Sequence, residues 1–218
     1  MGIQDITLIH GDMIAEVPQL DKFDLIIADP PYGVTNWEWD KIPDFKRQVT
    51  TWLQIIKPAF AAEYHFFWFC SPRWAADTET VFRELGIPIM SRIVWHRRNM
   101  AMGSDAKDRF IDTWEMIIHS GNTTLNWPDE WDSSRFDVQT FAVPQTNFED
   151  AKLHPTQKPL ALIKWLVSYG SRVGQTVLDP FAGAGTTGAA CEGTRKCTLI
   201  EKEAEYIDVI RARLGISQ

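Results

Sequence analysis

Leu25-Ile26-Ile27-Ala28-Asp29-Pro30-Pro31-Tyr32-Gly33 decides how the rest of this chain is read. A short apolar run bounded by turn residues reads as a buried strand. Pro30 and Pro31 have no N–H to give a ladder, so the strand stops at Asp29. The two rings fix φ, and Pro31 keeps Pro30 out of the helical region, so the turn is stiff. One carboxylate, a row of backbone carbonyls and one aromatic ring therefore stand at the carboxyl end of a strand. In open α/β sheets ligands bind at that end. A Pro-Pro turn with an exposed Tyr would satisfy the same residues, so the flanking sequence has to separate the two readings.

Outward from this stretch, strand and helix patterns alternate. Strands are expected at Ile6–Ile9, Lys22–Ala28, His65–Cys70, Ile89–His96, Trp114–His119, Gln175–Asp179 and Cys197–Glu201. His65–Cys70 is apolar on both faces, as a strand covered on both sides must be. Phe45, Val49, Trp52, Leu53 and Ile56 recur at helical spacing, with Asp44 as N-cap and Pro58 past the end. Thr78, Val81, Phe82 and Leu85 form a second helical stripe, stopped by Gly86 and Pro88. Helices are also expected over Pro159–Tyr169, over Gly185–Gly193 and around Tyr206, Ile207, Ile210 and Leu214. The alternation means an α/β fold with a doubly wound, mostly parallel sheet. Residues 120–150 are polar and turn-rich and give no assignment.

The 218 residues suit one domain, with 44% hydrophobic and 23% charged residues. No apolar stretch reaches the roughly 18–20 residues a membrane helix needs, and no signal-peptide pattern opens the sequence. The three cysteines, Cys70, Cys191 and Cys197, show no paired spacing. They indicate a reducing, cytoplasmic setting and argue against a zinc site. A net charge of −7 weighs mildly against nucleic-acid binding, although a local basic patch can coexist with it. Ten tryptophans and twelve phenylalanines exceed what a core of this size demands, and flat rings also suit base stacking.

A second motif is Val177-Leu178-Asp179-Pro180-Phe181-Ala182-Gly183-Ala184-Gly185-Thr186-Thr187-Gly188. A buried strand ends in an acid, a glycine-rich turn follows, and a helix opens. Glycines let a ligand approach the backbone, and a helix start offers unpaired N–H groups. Gly183, Gly185 and Gly188 with the later Glu201 imitate a dinucleotide fingerprint, so an NAD dehydrogenase competes on this motif alone. No Gly-Lys-Ser/Thr follows, which excludes a Walker phosphate loop.

Three motifs together carry a resemblance. Asp179-Pro180-Phe181-x-Gly183-x-Gly185 with Glu201 resembles the S-adenosylmethionine site of amino-group DNA methyltransferases. Asp29-Pro30-Pro31-Tyr32 resembles their catalytic motif, and His154-Pro155-Thr156-Gln157-Lys158-Pro159 resembles the segment preceding the cofactor strand in their β subgroup. The order of motifs matches that subgroup, and the likeness runs from about Ile6 to Leu214. A dehydrogenase would leave Asp29–Tyr32 and Lys158-Pro159 unexplained. The resemblance implies a seven-stranded Rossmann-like sheet with one antiparallel strand, in a single catalytic domain over 1–218. It implies a short target-recognition insert at about 120–150.

Roles follow from the resemblance residue by residue. Asp179, Pro180 and the Phe181–Gly185 turn would hold the methionine part of the cofactor, with Thr186 and Thr187 and Lys158 near its carboxylate. Glu201 would accept both ribose hydroxyls, which suits an acceptor-only carboxylate. Asp12 and Met13 match the adenine contact. Asp29, which also faces the cofactor, and the Pro30 carbonyl would accept the two hydrogens of the target amine. That pull localises a lone pair otherwise delocalised into the ring, and the fixed carboxylate stabilises positive charge developing on nitrogen. Pro31 stiffens the turn, and Tyr32 would stack on the flipped base. No Pro-Cys dipeptide is present, which disfavours the cytosine-C5 mechanism.

Residues 92–109 hold Arg92, Arg97, Arg98, Lys107 and Arg109 against Asp105 and Asp108. Arg97, Arg98, Lys107 and Arg109 are the candidate phosphate contacts, and Trp37 and Trp39 could close over the base or wedge the duplex. The implied partner is double-stranded DNA, with no membrane. A homodimer and a cognate restriction enzyme are compatible with the sequence and not specified by it. By the same resemblance, Asp in the first motif position implies adenine N6 over cytosine N4 as the target. A non-catalytic cofactor-binding or nucleic-acid-binding module, and methylation of RNA or of a protein glutamine, are the competing readings.

Overall fold

A computed structural model describes residues 6–33, 38–98, 110–145 and 153–216. Eight strands form one sheet: β1 (Ile6–His10), β2 (Phe23–Ala28), β3 (Phe60–Cys70), β4 (Ser91–Arg97), β5 (Trp114–Gly121), β6 (Val138–Phe141), β7 (Thr176–Asp179) and β8 (Lys196–Glu201). Their spatial order is β1-β8-β7-β2-β3-β5-β4-β6. All run parallel except β5, which is antiparallel to both β3 and β4. The sheet thus has the doubly wound, mostly parallel character expected, with eight strands in place of seven. The added strand is β6, whose four residues Val-Gln-Thr-Phe pair with β4 along the sheet edge and carry no buried stripe to announce them.

The helices are α1 (Met13–Glu16), α2 (Phe45–Ile56), α3 (Ala75–Glu84), α4 (Leu160–Gly170), α5 (Thr186–Cys191) and α6 (Ala204–Leu214). Asp44 caps α2 by accepting the Arg47 amide at 3.1 Å. Strand alternation sorts the core onto two faces. Ile26, Ala28, Phe66 and Trp68 meet Val49, Leu53 and Ile56 of α2 and Val81 and Phe82 of α3. Leu25, Ile27, Phe67 and Phe69 meet Leu162, Ile163 and Leu166 of α4 and Ile210 of α6. Each fully buried Leu, Ile or Phe here contributes about 1.5–3 kcal/mol relative to exposure. That two-sided cover is why β2 and β3 read as continuous apolar runs.

Several boundaries differ from the sequence reading: β4 starts at Ser91 and not Ile89, β5 runs on to Gly121, and two further ends have a visible cause. β3 begins at Phe60, five residues before His65; the exposed Ala62 and Glu63 interrupt the apolar run there. α5 stops at Cys191, after six residues, since Gly193 turns back with φ +69°.

From β7 the chain winds through α5 to β8 on one side, and from β2 it winds through α2 to β3 on the other. The direction of winding therefore reverses between β7 and β2, and a crevice opens at their carboxyl ends. Leu25 pairs with Val177 and Ile26 with Leu178, so the two acidic strand ends lie side by side. Asp24 fastens the opposite end, accepting the Thr176 amide at 2.9 Å and hydroxyl at 2.8 Å.

Candidate active site

The turn after β2 is held from outside itself. Asp40 Oδ1 accepts the Tyr32 amide at 2.7 Å and the Gly33 amide at 2.8 Å. Trp74 Nε1 donates to the Tyr32 carbonyl at 2.8 Å. Asp40 is only 2% exposed, so its carboxylate spends its capacity on protein donors. The turn then presents Asp29, whose Oδ1 accepts from Tyr32 Oη at 2.8 Å and whose Oδ2 accepts from Lys158 Nζ at 2.6 Å. Burial, with the Asp29 and Glu115 carboxylates nearby, pushes the Tyr32 phenol well above its ordinary pKa. Tyr32 therefore stays a hydrogen-bond donor.

Beside it, β7 ends in Asp179. Its Oδ1 accepts the Phe181 amide at 3.0 Å and its Oδ2 accepts the Thr187 hydroxyl at 2.5 Å. Burial outweighs both bonds and, with Asp29 and Glu201 adding repulsion, pushes the Asp179 carboxyl up to about 7. The turn then passes through Gly183 at φ +52° and Gly185 at φ +71°, conformations that side chains rarely adopt. The Gly183 amide donates to Glu201 Oε2 at 2.7 Å, and the Glu203 amide to Glu201 Oε1 at 2.8 Å. Glu201 lines the crevice beside these amides. Burial raises the Glu201 pKa against these amide bonds. Across the end of β1, Asp12 caps α1 through the Ile14 amide at 2.9 Å and pairs with Lys202 at 3.0 Å. Burial would raise the Asp12 pKa, but the Ile14 amide and Lys202 outweigh it and lower it.

The segment before α4 closes the crevice from above. The His154 ring stands edge-on against Tyr206, with centroids 4.2 Å apart, and faces Gly183. Gln157 Oε1 accepts the Leu153 amide at 2.7 Å. Lys158 is buried, with Nζ 2.6 Å from Asp29 Oδ2, 3.4 Å from Glu115 Oε2 and 5.2 Å from the Phe69 ring centroid. Burial alone would lower its pKa; the Asp29 and Glu115 carboxylates raise it above the ordinary lysine value. The resemblance implies a place for Lys158 at the cofactor carboxylate; in the structure Lys158 lines the same cleft, and its ammonium bridges the turn after β2 to β5.

These groups line one cleft of about 1030 Å³. Every residue the sequence assigned to the catalytic turn and the cofactor turn lines it, except Gly185. A Cβ on Gly185 would come within 3.1 Å of Ile210, so that glycine serves the packing of α6 against the turn. Among the DNA-contact candidates, Arg97 lines the cleft with Nη1 3.4 Å from Glu115 Oε1, and its Nη2 donates to the Asp112 carbonyl. Arg98 is exposed. Trp37, Lys107 and Arg109 lie outside the described residues, as does the side chain of Trp39.

Nothing local in the sequence marks Glu115, Asp40 or Trp74. Glu115 opens β5, and because β5 alone is antiparallel, its first residues and not its last reach the crevice.

The donor set fits S-adenosylmethionine. Asp12, Asp29, Asp179 and Glu201 give a lobe rich in carboxylates for a ligand with a sulfonium, an ammonium and two ribose hydroxyls. Gly183 keeps its side of the turn low: even a Cβ there would meet nothing nearer than the His154 ring at 3.8 Å.

A doubly wound sheet with paired acidic strand ends at its switch point is an architecture that binds nucleotide-type ligands there. Residues 23–212 match the N6_N4_Mtase family model, described as DNA methylase, and the chain belongs to this family of S-adenosylmethionine-dependent enzymes. It is 28% identical over 255 residues to the DNA adenine methyltransferase YhdJ of Escherichia coli K12, covering 99% of this chain and 85% of that one. It is 25% identical to the type II methyltransferase M2.DpnII of Streptococcus pneumoniae, over 95% of this chain and 88% of the relative. The M1.HpyAVI–SAM complex superposes with a TM-score of 0.78 at 26% identity, covering 97% of this chain and all of the other. The cytosine-N4-specific PvuII methyltransferase shares the fold, with a TM-score of 0.80 at 14% identity over 99% of this chain and 87% of its own.

Proposed function

We propose that this chain transfers a methyl group from S-adenosylmethionine to the exocyclic N6 amine of adenine in double-stranded DNA, after the base leaves the helix. One observation carries the reading: Asp29 with Tyr32, and Asp179 with the glycine turn, stand on adjacent strands in a single cleft. When bound, the cofactor supplies an electrophilic methyl group whose bond to sulfur breaks as the bond to nitrogen forms.

The chain's own groups do the rest. Asp29 and the Pro30 carbonyl accept the two amine hydrogens and draw the nitrogen toward tetrahedral geometry. Asp29 stabilises positive charge developing on nitrogen, and a proton then leaves the nitrogen through that carboxylate to water. Asp40 and Trp74 keep the turn from yielding, which preserves the aim of amine at methyl. Tyr32 stacks on the flipped base, returning about 1–3 kcal/mol of the few that flipping costs. Asp179, the turn to Thr187 and Glu201 hold the cofactor, with Asp12 and Met13 at its adenine.

Arg98, Lys107 and Arg109 serve as the phosphate-contacting arm, with Arg97 at its root, and Trp37 and Trp39 close on the extruded base. The stretch at about 120–150 forms a short recognition insert within a single catalytic domain. Its acidic balance favours a compact or dimer-shared reading of sequence. Among the described residues no helix is long and apolar enough to cross a membrane. A cytoplasmic setting follows from the DNA substrate and the three free, buried cysteines. A cognate restriction enzyme is proposed by likeness to type II relatives.

The test incubates wild type and Asp29→Ala with tritiated S-adenosylmethionine and unmethylated duplex DNA, followed by nucleoside analysis. Label in N6-methyladenine from wild type alone supports the reading. Label in N4-methylcytosine would move the substrate to cytosine, whose amine meets the same two acceptors. No transfer by wild type to any DNA would sink it.

A further inference from the structure

Both oxygens of Asp29 carry a partner in this structure: Tyr32 Oη at 2.8 Å and Lys158 Nζ at 2.6 Å. The reaction assigned to Asp29 needs one of them for an amine hydrogen. Lys158 is the greater obstacle, because an ammonium against Asp29 opposes positive charge growing on the target nitrogen. Glu115 offers the way out. Its Oε2 lies 3.4 Å from Lys158 Nζ and 3.4 Å from Tyr32 Oη, so one oxygen stands beside both partners of Asp29. Moving either donor by roughly half an ångström would complete a full hydrogen bond there. Its Oε1 faces Arg97 Nη1, also at 3.4 Å, so a second cation stands on the other side of the carboxylate. The strand beneath is fixed on both sides, since Glu115 pairs with Trp95 of β4 and its neighbour Met116 with Cys70 of β3. Asp29 and Glu115 balance Lys158 and Arg97 in charge, so an exchange of partners leaves the cluster neutral.

We propose that Glu115 is a positioning residue: it takes Lys158 and the Tyr32 hydroxyl from Asp29 when the target amine arrives, freeing the Asp29 carboxylate for the amine. The proposal rests on the DNA-methylation reading above. Only hydrogen bonds are exchanged, and no proton changes owner at Glu115. With the charge of Glu115 removed, Lys158 has Asp29 as its sole carboxylate partner and stays there.

The experiment compares wild type and Glu115→Gln in single-turnover methyl transfer to duplex DNA, from about pH 7 to about pH 9.5, alongside sinefungin binding by calorimetry. The expected result is a loss of about 10–100-fold at the lower pH, the range of a displaced positioning group. The loss should shrink as pH rises and Lys158, deprived of one counter-charge, gives up its proton. Sinefungin affinity should stay within about 2-fold, which separates the effect from a damaged cofactor lobe. In a Lys158→Gln background the same substitution should cost no more than about 3-fold, because its target is gone. No loss at all, or an undiminished loss in the Lys158→Gln background, would overturn the role of Glu115. Should wild type itself methylate no DNA, the functional reading fails; an active wild type beside an equally active Glu115→Gln refutes only the positioning role.

Discussion

Asp179→Asn is expected to stabilise the fold at alkaline pH while removing cofactor binding. Asp179 is 6% exposed and its carboxyl is pushed up to about 7 by burial, from an ordinary value of 3.8. A carboxyl whose folded pKa is raised contributes fully while protonated, below the unfolded pKa, and loses that contribution as pH rises toward the folded value. The window is therefore from about pH 4 to about pH 7, and above it the ionised group costs on the order of 4 kcal/mol. Asn preserves the local bonds: its oxygen can accept the Phe181 amide, and its NH₂ can donate to the Thr187 hydroxyl that now donates to Asp179. Between about pH 5 and about pH 8 the advantage of Asn over Asp should grow by about 2–3 kcal/mol, or roughly 5–10 °C in Tm for a chain of this size. Differential scanning fluorimetry of both proteins across that range, without ligand, reads it directly. Calorimetry with S-adenosylmethionine should show no binding by the variant. In wild type it should show proton release near pH 7, as the cationic ligand draws Asp179 into its ionised form. A Tm difference that stays flat with pH, or narrows toward alkali, would refute the account of Asp179 as a buried acid waiting for a cation.

Asp29→Ala should reduce methyl transfer by at least about 100-fold in a single-turnover assay, the scale of losing one aimed electrostatic partner. Tyr32→Phe retains the ring and should keep most activity in a steady-state assay, whereas Tyr32→Ala loses a stack worth about 1–3 kcal/mol and should fall about 5–100-fold. Asp40→Ala leaves the Tyr32 and Gly33 amides without their acceptor. It should lower Tm and kcat together, at about 1–3 kcal/mol for each donor left unmet.

Much of this site was legible because its chemistry sits in short contiguous runs. Asp29-Pro30-Pro31-Tyr32 and Asp179 to Gly185 each specify a strand end, a turn and a side chain in one stretch, and both strands run in the common direction. The same locality explains the misses. Asp40 is eight residues from the amide it holds, and Trp74 is forty-two residues from the carbonyl it caps; nothing local marks either. Glu115 looked like an ordinary strand residue because its place in the cleft depends on the reversal of β5. Arg97 read as a free cation in a basic run, yet its guanidinium is engaged by Glu115 and the Asp112 carbonyl. β6 escaped because an edge strand with alternating exposure needs no apolar run.

The reversal of β5 has an engineering corollary. β4 leaves the sheet at Arg97 and β5 enters it at Trp114, with His96 and Trp114 paired, so both feet of the connecting stretch stand on the cleft rim. Residues spliced between those feet would be delivered over the mouth of the cleft while the ladder below kept Arg97 and Glu115 in register.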